Sequence, residues 1–248
     1  MTSLEYTEHW KEYWENQYES STRQQLVLAA RRPLTRWLIA DVGVLVDDVG
    51  IALDDIQHRP DEVLRAGQIG FEQFVEESAV EGTSEDRYNF LPIHLVGLSR
   101  VGRERRYGLE TLLEAVDTLT TLPTVPLVTE PEVTYRPAVI TYQCPADHQT
   151  VLVQPLHRVK TVTSCGNSDC TNDVHVEPSL TRVRPVVEFS VDYHDQPLRC
   201  VSTGRLTQTA SEQISGASTV HLTGIVRLDV DAAGDVDFVY EVLYAGRS

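Results

Sequence analysis

The first third of the chain carries large side chains at helical spacing. Such a stripe on one face of a helix is typical of a buried core. The positions that share this face in the first predicted helix are Tyr6, Trp10, Tyr13, Trp14 and Gln17. A second helix is predicted from Arg23 to about Arg31, because Pro33 cannot continue it.

Another helix is predicted to begin at Pro60 and to cover PDEVLRAGQIGFEQFVEE. Proline suits the first turn of a helix, and Asp61 and Glu62 complement the positive end of its dipole. The segment before it, LTRWLIADVGVLVDDVGIALDDI, mixes short apolar runs with Asp and Gly. It is predicted to be strand or loop, with a short helix near its end. The predicted core positions of the Pro60 helix are Val63, Leu64, Gly67, Phe71, Phe74 and Val75.

The pattern changes to β-branched, extended runs in the second half of the chain. Helical spacing survives from about Leu109 to Leu119, and four prolines are then predicted to divide the sequence into short extended pieces. These prolines are Pro123, Pro126, Pro131 and Pro137. The predicted strands are Leu127–Thr129, Val133–Tyr135, Val139–Gln143, Val186–Val191, Leu198–Val201, Val220–Arg227 and Val236–Tyr244.

The order of these elements predicts an α+β protein, in which a helical bundle precedes an OB-fold β-barrel with an inserted zinc ribbon. Five or so strands interrupted by an insertion suit a barrel of that kind. The predicted bundle covers residues 1–100. The barrel takes residues 101–143 and 179–248, and the insertion takes residues 144–178.

Two pairs of candidate metal ligands define the insertion. Cys144 and His148 flank three residues, and Cys165 and Cys170 flank four. Structural zinc takes four S or N donors in a tetrahedron, usually from two short-range pairs. A segment this short cannot bury enough apolar area to fold alone, so a structural zinc ion is the predicted cofactor.

The fourth ligand has alternatives. If it is not His148, the next candidates are His157, His175 and Asp147. The cysteines can also be small buried hydrophobic residues, with His148 on the surface. Cys200 lies away from the cluster in sequence and is predicted to be a buried thiol.

The charge balance is strongly acidic. The chain has 37 acidic and 21 basic residues, a net charge of −16, and its only lysines are Lys11 and Lys160. This balance is typical of a halophilic archaeon, whose cytoplasm is rich in salt. At about 1 M salt the Debye length is only about 3 Å, so the acidity does not exclude contact between local arginines and phosphate.

Neither membrane insertion nor catalysis is predicted. No stretch approaches the roughly 20 apolar residues of a membrane span. The acidic, aromatic start is unlike a signal peptide, and cysteines clustered at ligand spacing favour a reducing, cytoplasmic location. The sequence contains no GxxxxGK[ST] motif and no nucleophile elbow, so no enzymatic activity is predicted.

Several segments, in order, resemble the N-terminal region of archaeal minichromosome maintenance (MCM) helicases. IALDDIQHRPDEVLRAGQIGFEQF is similar to a segment of that family's helical domain, and RYNFLPIHLVGLSRVG to the stretch joining bundle and barrel. LVTEPEVTYRPAVITYQC resembles the strands before the first zinc ligand, and HLTGIVRLD resembles the family's V-T-G-I-x-R strand. The resemblance spans nearly the whole chain.

The resemblance implies a non-catalytic DNA replication protein. It would bind single-stranded DNA and assemble as a homo-oligomer, a hexameric ring, or with a full-length MCM helicase. The family's barrel arginines imply a DNA contact at Arg136, which sits next to the ribbon. The other predicted DNA contacts are Arg182, Arg184 and Arg199, which flank the strand after the ribbon, and Arg205, which lies in the shortened hairpin region. The family's motor is absent from this sequence, and the segment between Arg199 and Val220 is shorter than the family's channel-facing hairpin.

Two other hypotheses remain open. The arginines can instead be salt-bridge partners of the many carboxylates, which would leave a replisome adaptor that has lost DNA binding. The shortened hairpin and the acidity favour that alternative. The third hypothesis is an unrelated replication or transcription factor that combines a zinc ribbon with an OB-fold.

Overall fold

A computed structural model describes residues 2–19, 22–32, 36, 38–78, 80, 83, 91, 93–98, 112–203, 214–230 and 236–247. It confirms the α+β class, with a helical bundle followed by a β-barrel that carries a Cys- and His-containing insertion. No helix in these ranges is both long and apolar enough to cross a bilayer.

Five helices form the bundle in the described part of the N-terminal region. They are α1 (Ser3–Tyr18), α2 (Arg23–Arg31), α3 (Val42–Asp47), α4 (Leu53–His58) and α5 (Pro60–Glu77). Local sequence sets where they begin. The Thr2 hydroxyl accepts a hydrogen bond from the Glu5 N–H while the Glu5 carboxylate accepts one from the Thr2 N–H, which is a capping box. Asp41 caps α3 by accepting a hydrogen bond from the Gly43 N–H at 2.8 Å.

The segment before α5 was predicted to be strand or loop with a short helix near its end. It contains a strand, that short helix and one further helix that was not predicted. The strand β1 (Leu38–Asp41) pairs in parallel with β2 (Ile93–Val96), and α3 follows β1 directly. The short helix predicted near the end of the segment is α4. Helix α3 has six residues, too few to show a helical repeat, and it forms because Asp41 supplies its cap.

Helices α1 and α5 pack together through aromatic rings and two glycines. Trp10 and Trp14 stack with ring centroids 5.3 Å apart, and Trp14 contacts Phe71 edge-on at 5.7 Å. A Cβ atom at Gly70 would lie 2.8 Å from the carbonyl oxygen of Thr7, so the two backbones approach more closely than any larger residue allows. The predicted aromatic stripe is thus core.

The barrel is a closed ring of five strands. Its strands are β3 (Leu119–Gln143), β6 (Arg182–Asp192), β7 (Pro197–Thr203), β8 (Thr219–Val230) and β9 (Val236–Arg247). Their order is β3–β6–β7–β9–β8, and β8 closes the ring by pairing with β3. The β7–β9 pair is parallel and the other pairs are antiparallel. The insertion adds β4 (Gln149–Val153) and β5 (His175–Val176), which both pair with the end of β3.

The prediction that prolines break the first barrel strand was wrong. One strand, β3, runs through all four prolines. Proline cannot donate a backbone hydrogen bond, so it is tolerated where regular pairing is interrupted. Irregularities in pairing flank Pro123 and Pro131 and follow Pro137, and Pro126 lies where β3 changes partner from β8 to β6. The four prolines therefore mark positions where the pairing of one continuous strand is irregular or changes partner.

The predicted helix from Leu109 to Leu119 ends earlier than expected. Residues 109–111 lie outside the described ranges, and Leu112 is helical. A 3-10 turn follows at Leu113–Ala115, and Leu119 already belongs to β3. Leu112 and Ala115 are fully buried in the barrel core. Leu112 and Ala115 are three residues apart and pack into the barrel core. A spacing of three residues is compatible with an α-helix and with a 3-10 turn.

Arg227 of β8 joins the bundle to the barrel. Its guanidinium contacts Asp61 of α5, Asp117 at 2.8 Å and Glu241 of β9 at 2.9 Å. Burial alone would lower the pKa of Arg227, but these three carboxylates raise it above its ordinary value. The charge of Arg227 is therefore fully compensated, and it fixes α5 against the barrel wall.

Candidate metal centre and basic groove

The first ligand pair lies on a tight turn between β3 and β4. The Cys144 N–H donates to the carbonyl of His148 at 3.1 Å, and the Asp147 N–H donates to the carbonyl of Cys144 at 2.9 Å. Asp147 takes a left-handed conformation with φ of 60°, which aspartate tolerates better than most residues. This turn directs the side chains of Cys144 and His148 to the same side.

The second pair lies on a loop held against the first. The Cys165 N–H donates to the carbonyl of Asn172 and the Cys170 N–H to that of Asn167, both at 3.0 Å. The Gly166 N–H donates to the Thr150 hydroxyl on β4 at 3.3 Å. A Cβ at Gly166 would lie 3.2 Å from that hydroxyl oxygen, so glycine permits the close approach.

The structure brings all four predicted ligands together. The sulfurs of Cys144 and Cys170 are 3.8 Å apart, and the Cys165 sulfur is 3.7 Å from Nδ1 of His148. All four ligand atoms lie within 4.8 Å of one another. A tetrahedral zinc with Zn–S bonds of about 2.3 Å requires S···S edges of about 3.8 Å. The cluster therefore has the size and donor chemistry of a Cys3His site and could hold a metal ion.

The alternative fourth ligands lie elsewhere. Asp147 accepts a hydrogen bond from the Gln143 side chain at 3.0 Å, His175 pairs with Gln143 across the sheet, and His157 lines cavities beside the barrel. Cys200 is fully buried in the barrel core, where burial raises the pKa of its thiol.

The cluster shifts the pKa of two of its thiols in opposite directions. A hydrogen bond from the Asn167 backbone lowers the pKa of Cys165, but burial and the neighbouring Cys170 and Cys144 raise it above the ordinary value, whereas the thiolate form of Cys144 is favoured. Burial of this sulfur raises its pKa, but hydrogen bonds from the backbone N–H groups of Ala146 and His148 and from neighbouring thiols outweigh that effect. The net shift lowers the pKa of Cys144 below the ordinary value. Thiolates are the form in which cysteine binds metal.

A basic groove lies beside the insertion, where residues 157–162 run over the barrel. The groove has a volume of about 670 Å³. Four cationic side chains line it, Arg136, Arg158, Lys160 and Arg199, together with a single carboxylate, Asp229. This is a local excess of positive charge in a chain whose net charge is −16.

Two of the five arginines predicted to contact DNA, Arg136 and Arg199, line this groove. Arg136 binds Glu188 at 2.6 Å, and Arg199 binds the same carboxylate at 3.2 Å and Asp229 at 3.5 Å. Burial of Glu188 raises its pKa, but the two arginines lower it below its usual range. Glu188 therefore stays ionised and occupies both guanidinium groups.

Of the other three predicted arginines, Arg182 and Arg184 do not line the groove. Arg182 is exposed and donates to the carbonyl of Ser179 at 3.4 Å. Arg184 is only 8% exposed and donates to the carbonyl of Gln154 at 2.6 Å. Arg205 lies outside the described residues.

Sequence reasoning missed Arg158 and Lys160. The sequence signal that could have found them is the basic run LHRVK, which follows shortly after β4 and holds one of the two lysines of the chain. Only the fold shows that this run lies over the barrel. Gln154 is buried, and its side-chain oxygen accepts the Lys160 N–H at 2.6 Å, which bends residues 154–160 back over the barrel.

The fold and cluster together define a class: a helical bundle joined to an OB-like barrel with a Cys3His insertion. The chain is similar to the crystal structure of the N-terminal domain of an archaeal MCM, with a TM-score of 0.70 over 100% of both chains. The sequences are only 12% identical, so the likeness establishes the fold. No family model matches the sequence, and no curated protein matches it.

Proposed function

We propose that this chain is a non-catalytic DNA replication protein of the MCM N-terminal type that binds single-stranded DNA in the basic groove and assembles into a ring. The observation that carries the proposal is the concentration of four cations beside an MCM-like barrel in an otherwise acidic chain. Its ring partners would be copies of itself, as a hexamer, or a full-length MCM helicase. Its location would be the cytoplasm of a halophilic archaeon.

The groove is suited to phosphates more than to bases. Its cations can pair with successive phosphate groups of a strand. Tyr135 is 72% exposed, but strand alternation places it on the opposite face of β3 from Arg136. Binding in the groove would therefore be mainly electrostatic, with little base stacking and little sequence preference.

Zinc in the Cys3His cluster would be structural. Cys144, His148, Cys165 and Cys170 would fill the four positions of a tetrahedral ion and leave none for water or substrate. When bound, the ion would tie the two turns of the insertion together. The insertion would in turn hold residues 154–160 against the barrel and so position Arg158 and Lys160.

The test is fluorescence anisotropy of a labelled single-stranded oligonucleotide, titrated with protein over a range of KCl concentrations. Four phosphate contacts predict that log K falls with log[KCl] with a slope of about −3. The double variant Arg158→Ala/Lys160→Ala should reduce that slope by about 1 and weaken binding about tenfold or more. Lys11→Ala/Arg32→Ala removes the same charge from the bundle and serves as the matched control. Equal losses of affinity in both double variants would refute strand binding in the groove.

Glu188 offers a test in the opposite direction. Because Glu188 competes with phosphate for Arg136 and Arg199, Glu188→Gln should strengthen strand binding by about three- to tenfold. Glu132 pairs across the sheet with Glu188, and Glu132→Gln changes the net charge equally without freeing an arginine. An unchanged or weakened affinity in Glu188→Gln alone would show that these two arginines do not contact the strand.

The same carboxylates support the second candidate function, a replisome adaptor without DNA binding. Glu188 and Asp229 already occupy two of the four groove cations. The insertion also exposes apolar side chains suited to protein contacts, among them Val151, Val153 and Val176. The adaptor predicts no strand binding at any salt concentration at which the protein stays folded, together with retention on an immobilised full-length MCM helicase.

A further inference from the structure

A second cavity lies between α5, the barrel and residues 153–160. Its volume is about 360 Å³, within the range of about 300–1,000 Å³ that small-molecule sites occupy. It is separate from the basic groove, and His157 and Lys160 stand between the two.

The inner wall of this cavity contains an uncompensated buried cation. Arg184 is 8% exposed and forms no ion pair with any carboxylate in the described ranges. Its Nη2 donates to the carbonyl of Gln154, but its Nε is buried and has no hydrogen-bond partner among these residues. Burial lowers the pKa of Arg184 to about 10, because Glu241 offsets the loss of water only in part and Arg136 adds to the shift. An anion in the cavity would provide the missing negative charge.

A second buried polar atom belongs to His157, which also lines this cavity. Nδ1 of His157 is buried and has no hydrogen-bond partner within the described part of the chain. Burial and the nearby Arg227 and Arg158 lower the pKa of His157, although Glu241 and Asp229 oppose the shift. Unsatisfied buried polar atoms are uncommon, and two in one cavity indicate a missing partner.

The outer rim adds two cations from different elements. Arg65 on α5 and Lys160 are both exposed and line the cavity, and neither forms an ion pair in the parts of the chain that are described. The lining carboxylates, Asp61 and Glu241, are both bound to Arg227. Because Arg227 also contacts Asp117, its single charge does not neutralise both lining carboxylates. Arg65, Lys160 and Arg184 nevertheless form no ion pair with either of them among the described residues, so their donors can meet a ligand.

We propose that this cavity binds the terminal phosphate of a small phosphorylated molecule about the size of a mononucleotide. Three cations from α5, β6 and the 154–160 segment approach from different directions, which suits a tetrahedral anion with three terminal oxygens better than a planar carboxylate. The space beyond the cations is lined by apolar side chains, including Leu64, Ile93 and Ile225, which would contact the rest of the molecule. This site is independent of strand binding in the groove.

The experiment is isothermal titration calorimetry of the full chain, at constant KCl, with inorganic phosphate, deoxyadenosine monophosphate and deoxyadenosine. Both phosphate compounds should bind at one site per chain with a Kd below about 10 mM, and the nucleotide should bind more tightly. Deoxyadenosine should not bind. No saturable heat from either phosphate compound would overturn the proposal, because water alone would then fill the cavity.

Variants locate the binding. Arg184→Met should abolish phosphate binding, and Arg65→Gln, an exposed change on α5 that should not disturb folding, should weaken it about three- to tenfold. Arg32→Ala is the control of equal charge. Unchanged affinity in Arg65→Gln would overturn the proposal even if Arg184→Met failed to fold. Arg158→Ala removes a side chain that lines the groove and does not line the cavity, so it should leave phosphate binding nearly intact, and failure of one site is distinguishable from failure of the other.

Discussion

The helical bundle and the Cys3His insertion achieve order by opposite means. The bundle buries a dense group of large side chains, with Trp10, Trp14 and Phe71 fully inaccessible to solvent. The insertion buries little: Val151 is 60% exposed and Val159 is 50% exposed, while Cys144 is almost fully buried. Apolar burial stabilises the first region, whereas the second depends on four side chains that converge on one point.

This difference determines how each region would fail. Loss of one contact in a packed core costs a few kcal/mol and leaves the neighbouring contacts in place. If the Cys3His cluster holds zinc as proposed, loss of one ligand removes a bond on which the whole insertion depends, because binding and folding of such sites are a single process. Damage to the bundle should therefore be graded, and damage to the insertion should be all or none.

The largest effect is expected from removing the zinc ion proposed for the Cys3His cluster. Chelation, or Cys165→Ser, should unfold the insertion and remove a contribution on the order of 10 kcal/mol to its folding. Metal content measured by mass spectrometry, together with limited proteolysis, should show cleavage within residues 144–178 while the α1–α5 core survives. Ser164→Ala, next to the ligand, should keep both metal and protection. An insertion that stays protected without metal would contradict this account.

A smaller effect is expected from crowding the bundle. Gly70→Ala places a methyl group 2.8 Å from the Thr7 carbonyl and 2.9 Å from the Lys11 nitrogen, so α1 and α5 must separate. Overpacking of this kind typically costs about 1–3 kcal/mol. Chemical denaturation should show the loss with zinc content unchanged. Glu76→Ala, exposed on the same helix, is the control, and equal stability of the two variants would mean that the helices can separate at no cost.

The smallest effect is expected at the junction of bundle and barrel. Asp61→Asn should cost up to about 1 kcal/mol, because Asp61 is largely exposed and Arg227 keeps Asp117 and Glu241 as partners. Its signature should be the separation of one thermal transition into two, measured by calorimetry. A double-mutant cycle with Arg227→Met isolates the link to α5. Additive losses in that cycle would show that Arg227 does not couple the two regions through Asp61.

The sequence predicted best what is local. Helix α5 begins at Pro60 as expected, because its start signals lie within one turn. The four ligand positions converge, because each pair needs only a short turn. The continuity of β3 was missed, since its prolines are tolerated through bulges and a change of partner that no local pattern shows.

The basic groove could not be predicted because its walls come from distant parts of the chain. Arg136 and Arg199 lie on different strands, and Arg158 joins them only after Gln154 bends the intervening segment over the barrel. Arg184 was placed among the DNA contacts because it is basic and precedes the predicted strand Val186–Val191. Its burial depends on that same segment, whose Gln154 carbonyl accepts its hydrogen bond.

The length of β3 makes it a mechanical element. Its 25 residues span up to about 80 Å of contour, from the closure with β8 at one end to the turn before Cys144 at the other. A force applied to the tip of the insertion would be transmitted along this one strand to the β3–β8 pairing that closes the barrel, called here the β3–β8 seam. Pulling on that tip should therefore stress the β3–β8 seam before it stresses the bundle.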